Sequence, residues 1–254
     1  MLWLLLLALA PGLVLFLFFY FRDRYRKEPA GALAVTFVLG ALAVFPAMAV
    51  SFTLQRLTGW SPHTPNLLHA FAGAIIIVGL VEEGWKFLVV RFYSWHRREF
   101  DEPYDGIMYS ITAALGFATL ENILYVLTGG FGVGVMRAFL AVPAHAFNGV
   151  VMGYFLGEAK FAGTIRRSHL LSATALGLAV LAHGVYDFIV FTLARRPLML
   201  VNLVVFAVLT WVLFFEATRR QAEKSARAHP ALSAARRDLL EPEPDRPPDR
   251  PDSP

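Results

Sequence analysis

Seven stretches of about twenty mostly apolar residues fill most of this chain, and no other feature constrains its fold as strongly. They are Leu2–Tyr20, Ala30–Phe52, Leu67–Val90, Ile107–Thr128, Val135–Leu156, Leu170–Leu193 and Leu198–Phe215. A bilayer core about 30 Å thick takes about 20 helical residues to cross. With no water for the backbone there, such a segment must satisfy its own hydrogen bonds as a helix. The expected fold class is therefore all-α: a polytopic membrane helix bundle with about seven transmembrane helices. Composition agrees, with 57% hydrophobic and 17% charged residues, against ~45–50% and ~25% in soluble domains. A pI near 9.5 often marks a nucleic-acid binder. Here no basic stripe on a soluble module supports that, so no nucleic-acid partner is expected. The absence of cysteine excludes disulfides, thiolate metal sites and a Cys nucleophile.

Basic residues set the orientation. Arg22, Arg24, Arg26 and Lys27 follow the first span, Arg91, Arg97 and Arg98 the third, and Lys160, Arg166 and Arg167 the fifth. Eight more lie beyond Phe215, whereas the alternate loops hold only Arg56, Arg195 and Arg196. The N-terminus is expected outside and the C-terminus in the cytoplasm. Ala8-Leu9-Ala10 resembles a signal-peptide cleavage site, but a basic n-region is missing and the apolar run continues to Phe21. The first segment therefore reads as an uncleaved anchor. Residues 1–215 form the expected transmembrane domain and 216–254 a cytoplasmic tail. That tail could begin as a helical extension, and its Pro-rich end from Glu241 is too polar to bury a core, so it is expected to be disordered. The loops are too short to fold alone, which places the function inside the membrane.

Ionisable side chains in a span cost ~2.5–3.5 kcal/mol each on insertion scales and by default mark function. This chain carries a cluster of them: Glu82, Glu83 and Lys86 on the third span, Glu121 and Asn122 on the fourth, His145 and Asn148 on the fifth, and His183 and Asp187 on the sixth. At 1.5 Å per residue, Glu121, His183 and His145 lie about 21, 20 and 18 Å from the cytoplasmic edge. Glu82 and Glu83 come out at about 12 Å, or about 18 Å if their helix runs on through Trp95. Lys86 stands one turn from Glu82 and can neutralise it. Asp187 stands one turn from His183 and can orient its ring. Arg137, near an outer helix end, can snorkel and is set aside.

Each residue also has a structural explanation. A lone His joins helices by a hydrogen bond, Glu82–Lys86 can be a buried ion pair, and Glu121-Asn122 can be a packing knot. The acids Glu99, Asp101, Glu102 and Asp105 read as a solvated turn, although Asp105-Gly106 also reads as a helix entry. Four helices polar at one level make a site the better explanation. A proton- or ion-coupled transporter would use such a cluster too, but usually with inverted repeats, which are not seen. A non-catalytic membrane scaffold is the remaining alternative.

At these residues the sequence resembles the PrsW family of intramembrane proteases, distant relatives of the CAAX-protease and Abi membrane proteins. The shared elements are Glu82-Glu83-x-x-Lys86, Phe117-x-x-x-Glu121-Asn122, His145 and His183-x-x-x-Asp187, on successive helices and in that order. Asp105-Gly106-Ile-Met-Tyr109 and the Gly149 and Gly153 spacing match as well. The resemblance implies an intramembrane endopeptidase in a bacterial inner membrane, cutting a membrane-bound substrate of the anti-sigma-factor kind. It implies a metalloprotease, while related CAAX enzymes have been argued to work with glutamate and histidine alone.

Glu82, Glu83, Glu121, His145 and His183 are then the expected catalytic residues, supported by Lys86, Asn122, Asn148 and Asp187. In a metal scheme His145, His183 and one carboxylate, Glu121 or Glu82, hold zinc, a known catalytic ligand set, and Glu83 is the base. In a metal-free scheme Glu83 or Glu82 activates water with His145, and His183 and Asn148 face the oxyanion.

Overall fold

A computed structural model of the chain describes residues 2–23 and 26–228. Every regular element among the described residues is helical. In order they are α1 (Leu2–Arg22), α2 (Ala30–Leu42), α3 (Val44–Thr58), α4 (Leu67–Gly73), a π-helical turn (Ala74–Gly79), α5 (Leu80–Phe92), a short 3-10 turn (Ser94–His96), α6 (Pro103–Phe139), α7 (Ala141–Lys160), α8 (Ile165–Leu193) and α9 (Met199–Ala228). Six helical runs are long and apolar enough to cross a membrane. The longest, Pro103–Lys160, folds back on itself and accounts for two passes.

The reversal sits at Gly130, whose φ of 75° and ψ of −164° suit glycine far better than a residue with a Cβ. Past it the chain runs antiparallel to its own first half, so that Arg137 meets Asn122. The break between α6 and α7 at Leu140 has a separate cause. Pro143 carries no N–H for the Phe139 carbonyl and crowds it. Pro46 does the same to Leu42, which explains why the second expected span bends between α2 and α3.

The first half of α6 is the centre of the bundle. Every side chain from Tyr104 to Thr119 is buried, among α1, α2, α5, α7 and α9. Helix α9 continues past Phe215 to Ala228. There Gln221 donates to the Tyr154 carbonyl at 2.7 Å, Lys224 pairs with Glu158 at 2.5 Å, and Ser225 accepts from the Tyr104 amide at 3.2 Å. The Pro-rich end expected to be disordered lies outside the described residues.

Of the four acids expected to form a solvated turn before α6, Glu99 and Asp101 are partly exposed but the other two are not solvated. Glu102 and Asp105 are fully buried, and Asp105 caps the start of α6 by accepting from the Asp101 and Glu102 amides at 2.8 and 2.7 Å. Asp23 and Glu28, outside the spans, are buried beside them. Burial raises all three loop carboxyls, Asp23 to about 6, Glu28 to about 7 and Glu102 to about 8, and mutual repulsion adds to this at Glu28 and Glu102. The folded state thus holds these protons more tightly than the unfolded one. Its extra stability is full below about pH 4 and is lost as pH rises through 6 to 8. Amide exchange in segment 100–106, corrected for intrinsic rate, is expected to be slower near pH 5.5 than near pH 8.5. Equal protection at both values would count against the protonated cluster.

Candidate active site

The π-helical turn Ala74–Gly79 ends just before Glu82 and Glu83. One extra residue in a turn rotates everything after it by about 100° around the helix axis. Ser51 of α3 donates to the displaced Ile77 carbonyl at 2.7 Å, which keeps the wide turn satisfied. Helix α8 approaches this turn closely at Gly184, where a Cβ would lie 2.8 Å from the Ile75 Cα. That contact sets His183 against α5.

Four helices deliver the cluster. Glu83 Oε1 lies 2.7 Å from Lys86 Nζ and 2.6 Å from His183 Nδ1, with Asn148 Nδ2 at 3.5 Å. Lys86 Nζ also reaches His145 Nδ1 at 3.0 Å and Glu82 Oε2 at 3.6 Å, and stands 4.3 Å above the Phe117 ring. On its other edge, His145 Nε2 is 3.0 Å from Glu121 Oε2. His183 Nε2 faces Asp187 at 3.3 Å and Glu82 at 3.7 Å. The two imidazole rings meet edge to face, 5.3 Å apart. All nine residues expected from the sequence are thereby placed: eight share this network directly, and Asn122 joins it through Arg137.

Arg137 was set aside as a snorkelling residue, and the structure corrects that. Its guanidinium bonds Glu121 Oε2 at 2.8 Å and Asn122 Oδ1 at 3.0 Å, and lies 4.1 Å from the centre of the Tyr125 ring. The hairpin at Gly130 returns it to the level of Glu121. It is the one basic residue between Arg98 and Lys160, and that isolation was the available signal. Asn122 Nδ2 in turn donates to the Ala8 carbonyl, tying α1 to the site. Arg137→Gln is expected to lower activity by about 10–100-fold, with Arg137→Lys recovering part of the loss. Unchanged turnover in the Gln variant would remove Arg137 from the account.

The network sorts the carboxylates by what they face. A cavity of about 220 Å³ is lined by Glu82, Glu121, His145, Asn148, His183 and Asp187, with Tyr186 and Arg137 on its wall. Glu83 is not among its lining residues; it is fully buried behind them. Glu82 Oε2 is buried with no hydrogen-bond partner. Lysine offers only donors, so His145 Nδ1 accepts from Lys86, and its Nε2 carries the proton given to Glu121.

The donor set also fits a metal ion. Ligand atoms of Glu82, His145 and His183 lie within 4.8 Å of one another, the one such group among the described residues. Glu121, also expected as a ligand, is instead engaged by Arg137 and His145. Four carboxylates (Glu82, Glu83, Glu121, Asp187) face two fixed cations, Lys86 and Arg137, which leaves two negative charges for protons or a divalent ion to balance. For His145 to ligate, one of its two present contacts gives way.

The comparisons agree with this geometry. Residues 28–214 match the family described as PrsW family intramembrane metalloprotease. The chain is 40% identical over 188 residues to Protease PrsW of Geobacillus kaustophilus, covering 74% of this chain and 80% of that one. It is 35% identical over 190 residues to Protease PrsW of Bacillus subtilis, covering 74% and 83%. For Protease PrsW of Clostridioides difficile the values are 30% over 210 residues, covering 81% and 86%. No solved structure matches it significantly. A family match over most of the length, joined to a Glu/His cluster inside a helical membrane bundle, leaves one conclusion: the chain belongs to the PrsW family of intramembrane proteases.

Proposed function

We propose that the chain is a zinc endopeptidase of a bacterial inner membrane that hydrolyses one peptide bond of a single-pass, anti-sigma-factor-like substrate. The observation that carries this is the buried Glu82 Oε2, which makes no hydrogen bond and only long ionic contacts to Lys86 and His183, on a cavity beside two histidines. Residues 1–215 make the membrane unit, N-out and C-in, and 216–254 a cytoplasmic tail whose first turns pack on α6 and α7.

Glu82, His145 and His183 are the residues that would hold zinc. When bound, zinc supplies Lewis-acid polarisation of water and of the scissile carbonyl. The chain's own groups do the rest. Glu121 keeps Oε2 on Arg137 and His145 and takes the water proton on Oε1, then returns it to the leaving amine. Asn148 Nδ2 and the Tyr186 hydroxyl, both on the cavity wall, donate toward the oxyanion. Glu83 holds His183 Nδ1 and Lys86 in place from behind, a positioning role, which leaves His183 Nε2, the edge now facing Asp187 and Glu82, as the nitrogen that would ligate once its contact with Asp187 gives way. Walls of protein around this cavity keep bulk water from the reacting bond.

Purified protein should contain about one zinc per chain, lost together with activity in His145→Ala and His183→Ala. Full cleavage in verified metal-free protein would overturn zinc and leave Glu82 and Glu121 to activate water unaided. The substrate class is tested in liposomes against a panel of single-pass anti-sigma factors. Cleavage of none of them, with cleavage of other membrane proteins, would remove that class.

A further inference from the structure

The catalytic cavity opens sideways into a second and larger one. This cleft, about 580 Å³, lies between α3 and α6. Val78, Glu82, Glu121, Tyr125 and Phe191 line both, so the two are continuous at the carboxylates that face the reacting bond. Its outer wall is a stripe on α3, in which Ala47, Met48, Ser51, Phe52 and Gln55 recur at helical spacing. Met48 is 55% exposed and Phe52 58%, so this wall borders lipid as well as the cleft. Helix α3 barely touches α6. The other cleft next to the site, bordered by Leu140, Ala144 and Leu203 near α9, has only about 40 Å³. Ligand-holding clefts run to about 300–1,000 Å³.

We infer that the α3–α6 cleft receives the substrate, as an extended apolar peptide segment entering sideways from the bilayer and ending at Glu82 and Glu121. This rests on the hydrolytic reading above. A protease needs its peptide extended, and a spanning helix that unwinds leaves N–H and C=O groups that lipid cannot satisfy. The cleft answers that need in one place. Away from Glu82, Glu121 and Tyr125 its lining is mostly apolar, and the hydroxyls of Ser51 and Thr128 already donate to backbone carbonyls, but Gln55 at the outer end of α3 has both a donor and an acceptor to offer. Gln55 is therefore a substrate-positioning residue, bonding the backbone of the entering segment. The occupant's chemistry follows: apolar side chains along the cleft, and a free strand of backbone passing Gln55 toward the carboxylates.

The test places a photo-crosslinking amino acid at Met48 or Phe52 in the full-length chain. Control positions are Val38 on α2 and Val204 on α9, both more than half exposed. The probe is each single-pass anti-sigma factor of the panel in turn, presented to a Glu82→Gln background so that it stays bound. Adducts with the probe at 48 and 52, about tenfold or more above both controls, are the expected result. Gln55→Leu should raise KM more than it lowers kcat, and Gln55→Asn should recover part of the loss. Adducts with lipid alone at 48 and 52, or with the probe at 204 instead, would overturn the inference. Cleavage by the wild type is scored separately. Probe adducts at 48 and 52 without any wild-type cleavage would keep the docking site and sink the hydrolytic reading.

Discussion

Lys86→Met is expected to cost about 3–5 kcal/mol of stability, the largest loss of any single substitution in the site. Lys86 is 1% exposed and deep in the bundle, and it is the one cation that touches Glu82, Glu83 and His145 together. Methionine fills the same space without the charge. Glu83, fully buried, would then keep a carboxylate whose remaining partners are His183 and a long contact from Asn148. An ion stripped of its partner in low dielectric loses attraction while its desolvation cost stays. The double variant Lys86→Met/Glu83→Gln removes both members and should regain a sizeable part of the stability, although not activity. Denaturant titration in mild detergent, read by near-ultraviolet circular dichroism, measures the difference. A single variant as stable as wild type would show that the ion pair holds nothing in place.

Glu82→Gln should behave in the opposite way: activity falls by about 10²–10⁴-fold while stability holds or rises. Glu82 stands near three other carboxylates, and neutralising it relieves repulsion instead of creating it. The amide keeps the size of the side chain but can neither ligate an ion as an anion nor accept a proton from water. Glu83→Gln should also lose activity, by a different route. His183 and Lys86 lose their shared anchor, so a fall in stability should accompany the fall in rate. The two glutamates, adjacent in sequence, are thus separable by measuring rate and stability on the same samples. A Glu82→Gln enzyme that cleaves at the wild-type rate would contradict the assignment.

Much of this arrangement was legible in the chain. The apolar segments foretold a helical membrane bundle, with six helical runs long and apolar enough to span, and the fourth and fifth segments fall in one run that turns back at Gly130, in the gap between them. Helix rise put Glu121, His145 and His183 at similar depth, and Glu82 and Glu83 with them if their helix ran on through Trp95, but the turn of each side chain toward the others comes from packing. Three features were hidden for physical reasons. Ala74–Gly79 reads as an ordinary apolar helix, since the wide turn depends on the Ser51 contact from another helix. Arg137 sits seven residues past the reversal, and a snorkelling side chain and one folded back onto Glu121 look alike until the hairpin is known. The separation of Glu82 from Glu83 depends on which neighbour each one faces, and no period in a single helix encodes that. Glu102 and Asp105 were misread as solvated because they are buried beside Asp23 and Glu28, which come from about eighty residues earlier.

The central claim is that this polar cluster hydrolyses peptide bonds within the membrane instead of passing ions across it. Liposomes carrying purified protein and a single-pass substrate, loaded with a pH-sensitive dye, test both at once. The account predicts two peptide products by mass spectrometry, with one solvent oxygen in the new carboxyl terminus, no products from Glu82→Gln, and no substrate-dependent change in internal pH. Intact substrate together with a pH change that Glu82→Gln abolishes would contradict it.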